Sequence, residues 1–372
     1  MKRSRRALFI FLYMVGLFLF LEGVSRLALA LLSKTWEPVV PTSVQRLDPL
    51  LGWGLQPGVC ATSKRTGRPV EYCINAKGLR DEEYDYEKPK AKTFRVVLLG
   101  DSRSFGFGVP QELHFSTVLE GYFKNFQVIN MGVDGYGVDQ ELLWLRREGF
   151  KYDPDIVMVY VAHYAERRHM IDKAWGVGKP RFELQNGELV LHNSPVANND
   201  TLYVALRGVD NALSSWFKTF KILRDVAVHI VEGKALKHWL NAGKPKPVVQ
   251  GEGERVTQDQ ALEERTHVLA ETIVLTMARE AKEHGAAFVL LTQIERLYNT
   301  VTNAGYLALN VTDPLHNTTF PFPDGLEHFN EAGNGALAWE IARFLLAYDL
   351  IPEKSRREHS AFDFPVHREA GE

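Results

Sequence analysis

The chain has 372 residues, of which 45% are hydrophobic and 24% are charged, and its formal net charge at pH 7 is −2. These are ordinary values for a globular protein, and the length allows one large domain or two of average size. A nearly neutral charge argues against general nucleic-acid binding, which requires a basic surface, so we expect no nucleic-acid partner.

The N-terminal segment combines positive charge with a long apolar run. An uncharged stretch over 7–21 and a second apolar stretch over 27–32 follow four basic residues, Lys2, Arg3, Arg5 and Arg6. A helix continued to Leu32 spans roughly 39 Å, which exceeds the hydrocarbon core of a bilayer. Because basic flanks stay cytoplasmic, we predict a single-pass membrane anchor over 1–33, with the rest of the chain extracytoplasmic, either periplasmic or extracellular.

Two features bear on this anchor. Glu22 and Arg26 lie four residues apart, so their charges can neutralise each other near the far interface of the membrane. Ala28-Leu29-Ala30 resembles the cleavage site of a signal peptide, which leaves a cleaved leader as the alternative.

Residues 34–93 are rich in proline, glycine and charge, which indicates an extended arm with a hairpin rather than an independent core. The arm holds both cysteines of the chain, Cys60 and Cys73, on either side of a turn-like Thr66 to Pro69 stretch. An oxidising compartment permits a disulfide between them, and we predict one; two free buried thiols are the alternative. Two cysteines do not make a zinc site, so we expect no metal there.

Strands and helices alternate from residue 94 onward. The pattern predicts strands over 94–99, 126–130, 156–163, 286–292 and 306–311, and helices over 111–123, 140–147, 259–284 and 331–346. This rhythm indicates an α/β domain over 94–352 with a mostly parallel sheet and helices on both faces. A polar tail, 353–372, follows.

The rhythm lapses over 165–257, which we interpret as an insertion. It contains a predicted hairpin over 181–191, turning at Asn186-Gly187. A charged run over 166–169 indicates a solvated face. A lid, a partner-binding surface and packing alone all stay open as roles for the insertion.

The polar turn after the first core strand carries the strongest chemical signal. Gly100-Asp101-Ser102 places a serine where α/β enzymes present reactive groups, and Asp101 suits a capping role. A serine nucleophile needs a base, and His328 lies in a predicted loop just before the last helix. The sequence therefore predicts Ser102 as nucleophile and His328 as its base.

Three blocks in this order resemble the SGNH or GDSL-type hydrolases from about residue 47 to residue 346. They are Gly100-Asp101-Ser102, the stretch Asn130 to Gly137 (NMGVDGYG), and the stretch Asp324 to His328 (DGLEH). The resemblance implies a flavodoxin-like three-layer α/β/α fold, the SGNH hydrolase fold. It also implies that Asp324 orients His328 and that the Gly135 N–H joins the Ser102 N–H in an oxyanion hole.

The chain departs from the family pattern at two places. Where the family has Gly-x-Asn-Asp after the third strand, with the Asn as an oxyanion donor, this chain has Val161-Ala162-His163-Tyr164. His163 is therefore a candidate oxyanion donor, with a structural histidine as the alternative. Asp324 lies four residues before His328, one or two more than usual, so a Ser–His dyad or another acid stays open.

These observations predict a membrane-anchored serine esterase that removes acetyl or short acyl groups from a glycan or lipid through an acyl-enzyme. No phosphate loop, dinucleotide fingerprint or metal-ligand cluster is present in the sequence, so we expect no cofactor. One alternative is an O-acyltransferase that modifies a cell-surface polysaccharide together with assembly proteins. The other is a non-catalytic member of the family that binds a ligand in the same cleft.

Overall fold

The computed structural model describes residues 11–26, 42–63, 69–89, 93–161, 165–174, 177–196, 252–311, 319–321 and 327–357. The chain divides into two compact units. The smaller consists of Met1–Glu37, Trp175–Val177 and Asn198–Thr257, and the larger of Pro38–Ala174, Gly178–Ala197 and Gln258–Glu372.

The smaller unit contributes helix α1 (11–26) to the described residues. Its apolar side chains are largely exposed, and Arg26 Nε lies 2.9 Å from Glu22 Oε1, as the spacing of these two residues predicted. Along the described parts of the chain, no helix has both the length and the apolar character needed to cross a membrane. The predicted anchor extends over residues 1–10 and 27–33, which lie outside the described part, and it stays a prediction.

The larger unit is built from short strands and helices in alternation. Its described helices are α2 (Ser102–Phe105), α3 (Phe115–Gly121), α4 (Val138–Arg147), α5 (Glu252–Glu283, whose first turn belongs to the smaller unit), α6 (Glu295–Asn303) and α7 (Glu331–Ala347). The described strands are β1 (Gln45–Asp48), β2 (Gly52–Leu55), β3 (Cys60–Ser63), β4 (Val70–Cys73), β5 (Phe94–Gly100), β6 (Phe126–Asn130), β7 (Ile156–Val161), β8 (Lys173–Ala174), β9 (Val177–Gly178), β10 (Arg181–Gln185), β11 (Glu188–His192), β12 (Ala287–Thr292), β13 (Leu307–Asn310), β14 (Thr319–Pro321) and β15 (Glu327–Phe329).

The central sheet is five-stranded and parallel, in the order β13-β12-β7-β5-β6. Numbered along the chain, this is the order 2-1-3-4-5 of the flavodoxin-like folds. The order reverses at β5, whose neighbours β6 and β7 continue the sheet in opposite directions, and such a reversal opens a crevice at the carboxyl ends of the strands. The predicted α/β fold with a parallel sheet is confirmed.

Both faces of the sheet are covered. On one face, Val96 and Leu98 of β5 pack in a cluster with Phe115 of α3 and Leu337 of α7. The alternate residue Val97 points to the opposite face, where it approaches Gly149, close to Leu145 of α4. Strands buried on both faces explain why their sequences are continuously apolar instead of alternating.

Two sequence expectations about hairpins are confirmed. Cys60 and Cys73 pair across β3 and β4 and are joined by a disulfide. The β10–β11 hairpin turns at Asn186 and Gly187, both with φ in the left-handed region, as a two-residue turn requires. The predicted turn from Thr66 to Pro69 lies outside the described residues except for Pro69.

The larger differences from the prediction concern three elements. The helix expected over 111–123 is split, because His114 is extended and its ring caps α3 by accepting the Ser116 N–H. Helix α5 begins at Glu252, seven residues before the predicted start. The loop predicted around His328 contains the antiparallel strands β14 and β15, so His328 lies on a strand that tertiary pairing stabilises.

Candidate active site

Gly100 and Asp101 join β5 directly to the four-residue helix α2. We call this the nucleophile turn, and α2 the nucleophile helix, after the role predicted for Ser102. Gly100 has φ +150°, and a Cβ there would lie 3.0 Å from the Tyr160 carbonyl oxygen and nearer still to Ser104 Oγ. Glycine is therefore required at this turn. Asp101 caps α2 by accepting the Arg103 N–H at 3.1 Å, which confirms its expected capping role and places Ser102 at the first position of the helix.

The structure brings Ser102 and His328 together across 226 residues. Ser102 Oγ lies 2.8 Å from His328 Nε2, and the two residues are only 3% and 1% exposed. The tautomer that carries its proton on Nδ1 accepts the serine hydroxyl hydrogen at Nε2, which is the arrangement a general base requires. Phe107 stacks on the His328 ring at a centroid distance of 4.3 Å, which restricts the orientation of the imidazole.

Two predicted site residues lie outside the described part of the chain. Asp324, the predicted partner of His328, belongs to 322–326, and His163, the candidate oxyanion donor, belongs to 162–164. Their roles stay predictions from the resemblance.

The second block, which contains Gly135, packs directly against the nucleophile turn. Val133 donates its N–H to the Gly100 carbonyl at 3.1 Å and accepts the Tyr136 N–H at 3.2 Å in a turn. Gly135 has φ +82° in this turn, a conformation that favours glycine. Gly132 approaches α2 so closely that a Cβ would lie 2.7 Å from Ser104 Cβ. The predicted oxyanion loop and the nucleophile helix are therefore neighbours.

The N-terminal arm supports this loop from the other side. The Trp53 indole N–H donates to the Asp134 carbonyl at 3.0 Å, and the Tyr136 hydroxyl donates to the Trp53 carbonyl at 2.7 Å. The two rings meet edge to face at 5.8 Å. Trp53 thus holds both residues that flank Gly135, a role that its sequence position did not reveal.

The arm also supports the far end of α2. The buried Arg80 guanidinium donates to the carbonyls of Phe105 at 3.0 Å and Val109 at 2.7 Å. It lies over the Tyr72 ring at 4.3 Å, and Tyr72 stacks on Phe105 at 5.6 Å. Since Tyr72 precedes Cys73, the disulfide hairpin is part of the wall behind the nucleophile helix.

A second histidine near the site is structural. The His114 ring contacts the Arg103 carbonyl through Nε2 at 3.0 Å and Ser116 Oγ through Nδ1 at 2.7 Å. Burial lowers the pKa of His114 to about 3, so the ring is neutral at physiological pH. It stabilises α2 by binding the carbonyl of Arg103, the residue after Ser102.

The charged run over 166–169 was expected to be a solvated face, and this expectation is wrong for two of its residues, Arg168 and His169. The Arg167 side chain is 71% exposed, but that of Arg168 is only 14% exposed and His169 is buried. Burial lowers the pKa of His169 to about 3. The segment Ala165–Met170 folds back onto the core, where Arg168 binds Asp101 of the nucleophile turn and the His169 ring contacts the Thr266 carbonyl of α5.

A buried carboxyl group, Glu141, lies in the same region. Neither of its oxygens has a hydrogen-bond partner among the described residues. Burial raises its pKa well above the usual range, and the nearby carboxylates of Asp101 and Asp139 raise it further.

Within the described residues, the histidine, cysteine and acidic atoms close enough to share one ion are those of Cys60, Glu71 and Cys73, and the disulfide occupies both sulfurs.

No protein-family model matches the chain, and no curated protein matches it. Among solved structures, it is similar to TesA (13% identity, TM-score 0.35, covering 69% of this chain and 99% of that one). It is also similar to a protein from Desulfitobacterium hafniense DCB-2 described as lipolytic and of the G-D-S-L family (12% identity, TM-score 0.32, covering 68% of this chain and 99% of that one). A third similar structure is LAE5, an alpha/beta hydrolase enzyme from the metagenome of Lake Arreo, Spain (11% identity, TM-score 0.35, covering 72% of this chain and 99% of that one).

Proposed function

We propose that this chain is a serine ester hydrolase of the SGNH/GDSL type that works through an acyl-enzyme. The observation that carries the proposal is the 2.8 Å contact between Ser102 Oγ and His328 Nε2 at the carboxyl edge of a parallel sheet. A buried serine hydroxyl in direct contact with an imidazole is the arrangement that activates a serine for attack on a carbonyl carbon.

In the first half of the reaction, His328 Nε2 takes the Ser102 hydroxyl proton as Oγ attacks the ester carbonyl carbon. The negative charge that develops on the carbonyl oxygen is stabilised by the N–H groups of Ser102 and Gly135. The tetrahedral intermediate then collapses. The bond to the alcohol oxygen breaks, the protonated His328 gives its proton to that oxygen, and the acyl group stays on Ser102.

In the second half, a water molecule attacks the acyl carbon while His328 again accepts a proton. The bond to Ser102 Oγ breaks, the acid leaves, and the proton returns to the serine. A sugar hydroxyl in place of water transfers the acyl group to the sugar instead. Hydrolysis and transfer therefore share the same acyl-enzyme and differ only in the acceptor.

We place the activity outside the cytoplasm, on a chain anchored by its N-terminus. The basic cluster before the apolar run supports this orientation, and the Cys60–Cys73 disulfide supports an oxidising compartment. In that setting the substrate is an acetyl or short acyl ester on a glycan or lipid. Cell fractionation tests the anchor: we expect the full-length chain in the membrane fraction. A soluble form that begins near residue 31 would instead show a cleaved leader.

Hydrolysis of p-nitrophenyl acetate by the full-length chain, purified in a mild detergent, tests the enzymatic proposal. We expect Ser102→Ala and His328→Ala each to lower kcat by about 10⁴-fold or more. His192→Gln is the matched control for His328→Ala, because His192 lies at the surface; we expect it to retain activity. Equal turnover by the wild type and Ser102→Ala would refute the proposal.

Two further measurements define the reaction. A fluorophosphonate probe should label the wild type at Ser102 and leave Ser102→Ala unlabelled. Product analysis with an added sugar acceptor separates the two outcomes, since an acylated sugar indicates transfer and free acid alone indicates hydrolysis.

A further inference from the structure

We propose that Arg168 is a positioning residue that sets the distance between the nucleophile helix and the oxyanion loop. This inference rests on the proposed function, because it assigns Arg168 a part in that same reaction. The side chain lies in the segment Ala165–Met170, which follows β7, and it reaches back over the carboxyl edge of the sheet.

One nitrogen of Arg168 joins the two halves of the site, which are the start of the nucleophile helix and the loop that contains Gly135. Arg168 Nη1 donates to Asp101 Oδ2 at 3.2 Å and to the Tyr136 carbonyl at 3.1 Å. Asp101 is fully buried and caps the helix that begins with Ser102, and Tyr136 directly follows Gly135. Movement of either half away from the other therefore breaks a charge-assisted hydrogen bond in a buried setting.

The position of this contact matters because of what holds the loop elsewhere. Before Gly135, the loop is tied to the nucleophile turn by the Val133 N–H bond to the Gly100 carbonyl at 3.1 Å. After Gly135, Arg168 makes the corresponding tie. Gly135 thus lies between two attachments to the same turn, which is the kind of support that holds a donor within about 0.5 Å of its working position.

Arg168 is itself held in place from behind. The buried Lys179 ammonium pairs with Asp139 and donates to the carbonyls of Arg168 and Ile171 at 3.2 Å each. The backbone at Gly137 passes so close that a Cβ there would lie 3.0 Å from Arg168 Cβ. A fixed backbone and a fixed Cβ restrict where the guanidinium can go, so the tie is preorganised before substrate binds.

The test compares Arg168→Gln with Arg167→Gln in the full-length chain. Both variants remove one positive charge from the same segment, but the Arg167 side chain is 71% exposed and pairs with Glu263 at 3.7 Å, away from Asp101 and Tyr136. Loss of an oxyanion donor lowers kcat by about 10²- to 10³-fold, so a displaced donor should lower it by about 10- to 100-fold. We expect that loss in Arg168→Gln, with KM for p-nitrophenyl acetate changed less than about threefold, because the oxyanion forms only in the transition state.

Two readouts separate positioning from a purely structural role. A trifluoromethyl ketone, which forms an oxyanion on Ser102, should bind Arg168→Gln more weakly by the same factor as the loss in kcat/KM. Arg168→Lys keeps a positive charge beside Asp101 on a shorter side chain and should recover part of kcat. If Arg168→Gln does not fold, Arg168→Lys takes its place in the comparison with the wild type.

Wild-type kcat in Arg168→Gln, or an equal loss in Arg167→Gln, would overturn the inference. So would Arg168→Lys with no more activity than Arg168→Gln at unchanged thermal stability. These outcomes differ from failure of the proposed function, in which the wild type itself turns over ester no faster than Ser102→Ala.

Discussion

Replacing Gly132 by alanine tests whether the spacing between the oxyanion loop and the nucleophile helix controls turnover. Gly132 lies where the loop crosses α2, and its N–H is bound by Asn130 Oδ1 at 3.0 Å. A Cβ added there would lie 2.7 Å from Ser104 Cβ and closer still to the backbone of Ser104 and Phe105. The φ angle of Gly132 is not in the left-handed region, so alanine is allowed by the backbone and the effect is steric.

The size of the effect follows from this overlap. Carbon atoms pack at about 3.5–4.0 Å, so the loop and α2 must separate by about 1 Å to admit the methyl group. The nearest of these atoms belong to the backbone of Ser104 and Phe105, which cannot rotate aside as a flexible side chain does. A misplacement of about 1 Å at a catalytic group costs about 10²-fold in rate, and overpacking costs about 1–3 kcal/mol in the free energy of unfolding.

We therefore expect Gly132→Ala to lower kcat on p-nitrophenyl acetate by about 10²-fold, and to lower the unfolding midpoint in urea. Gly335→Ala is the matched control, because a Cβ at Gly335 in α7 meets nothing within 4 Å. Alanine should stabilise that helix slightly and leave kcat unchanged. Gly132→Ala with the kcat and stability of the wild type would refute the steric reasoning and the close approach on which it depends.

Three more predictions concern the surroundings of the site. His114 gains a proton near pH 6.5 in the unfolded chain but only near pH 3 in the folded chain. The contribution of the neutral His114 ring to the free energy of unfolding is therefore lost as the pH falls from 6.5 towards 3. The free energy of unfolding in urea of the wild type should exceed that of His114→Gln by about 2 kcal/mol less at pH 5 than at pH 7. The same difference between the two proteins at both pH values would contradict this. Replacing Cys60 and Cys73 by serine should cost about 3 kcal/mol in urea unfolding, and no change would show that the hairpin needs no covalent closure. Asp324→Asn should lower kcat by about 10²- to 10⁴-fold while Glu327→Gln does not, and the reverse result would reassign the acid to Glu327.

The sequence was sufficient to predict the parallel sheet and the nucleophile turn, because both depend on local pattern. A strand buried on both faces must be apolar throughout, and the glycine and short polar residues after β5 leave few conformations other than a tight turn. The pairing of Ser102 with His328 was predicted only by combining this turn with the order of the other two blocks. The structure brings the two side chains together across the chain.

Other features depended on contacts that no local pattern contains. The loop predicted around His328 holds a strand, because β15 is formed by its pairing with β14 and not by its own propensity. The charged run after β7 resembled a solvated face, since its composition is that of many exposed segments. Its backbone is bound by Lys179, eleven residues beyond Arg168, which pairs with Asp139 and donates to the Arg168 carbonyl.

The sequence by itself therefore determined the fold class and predicted which serine and which histidine meet, because each is specified by residues adjacent in the chain or by motifs in a set order. Only the tertiary structure decided what surrounds them. Trp53 and Arg80 from the arm and Arg168 from the segment after β7 hold the two loops that meet at Ser102. Side chains that act by reaching a distant backbone carbonyl leave no periodicity or spacing in the sequence, because the carbonyl they bind is present at every residue.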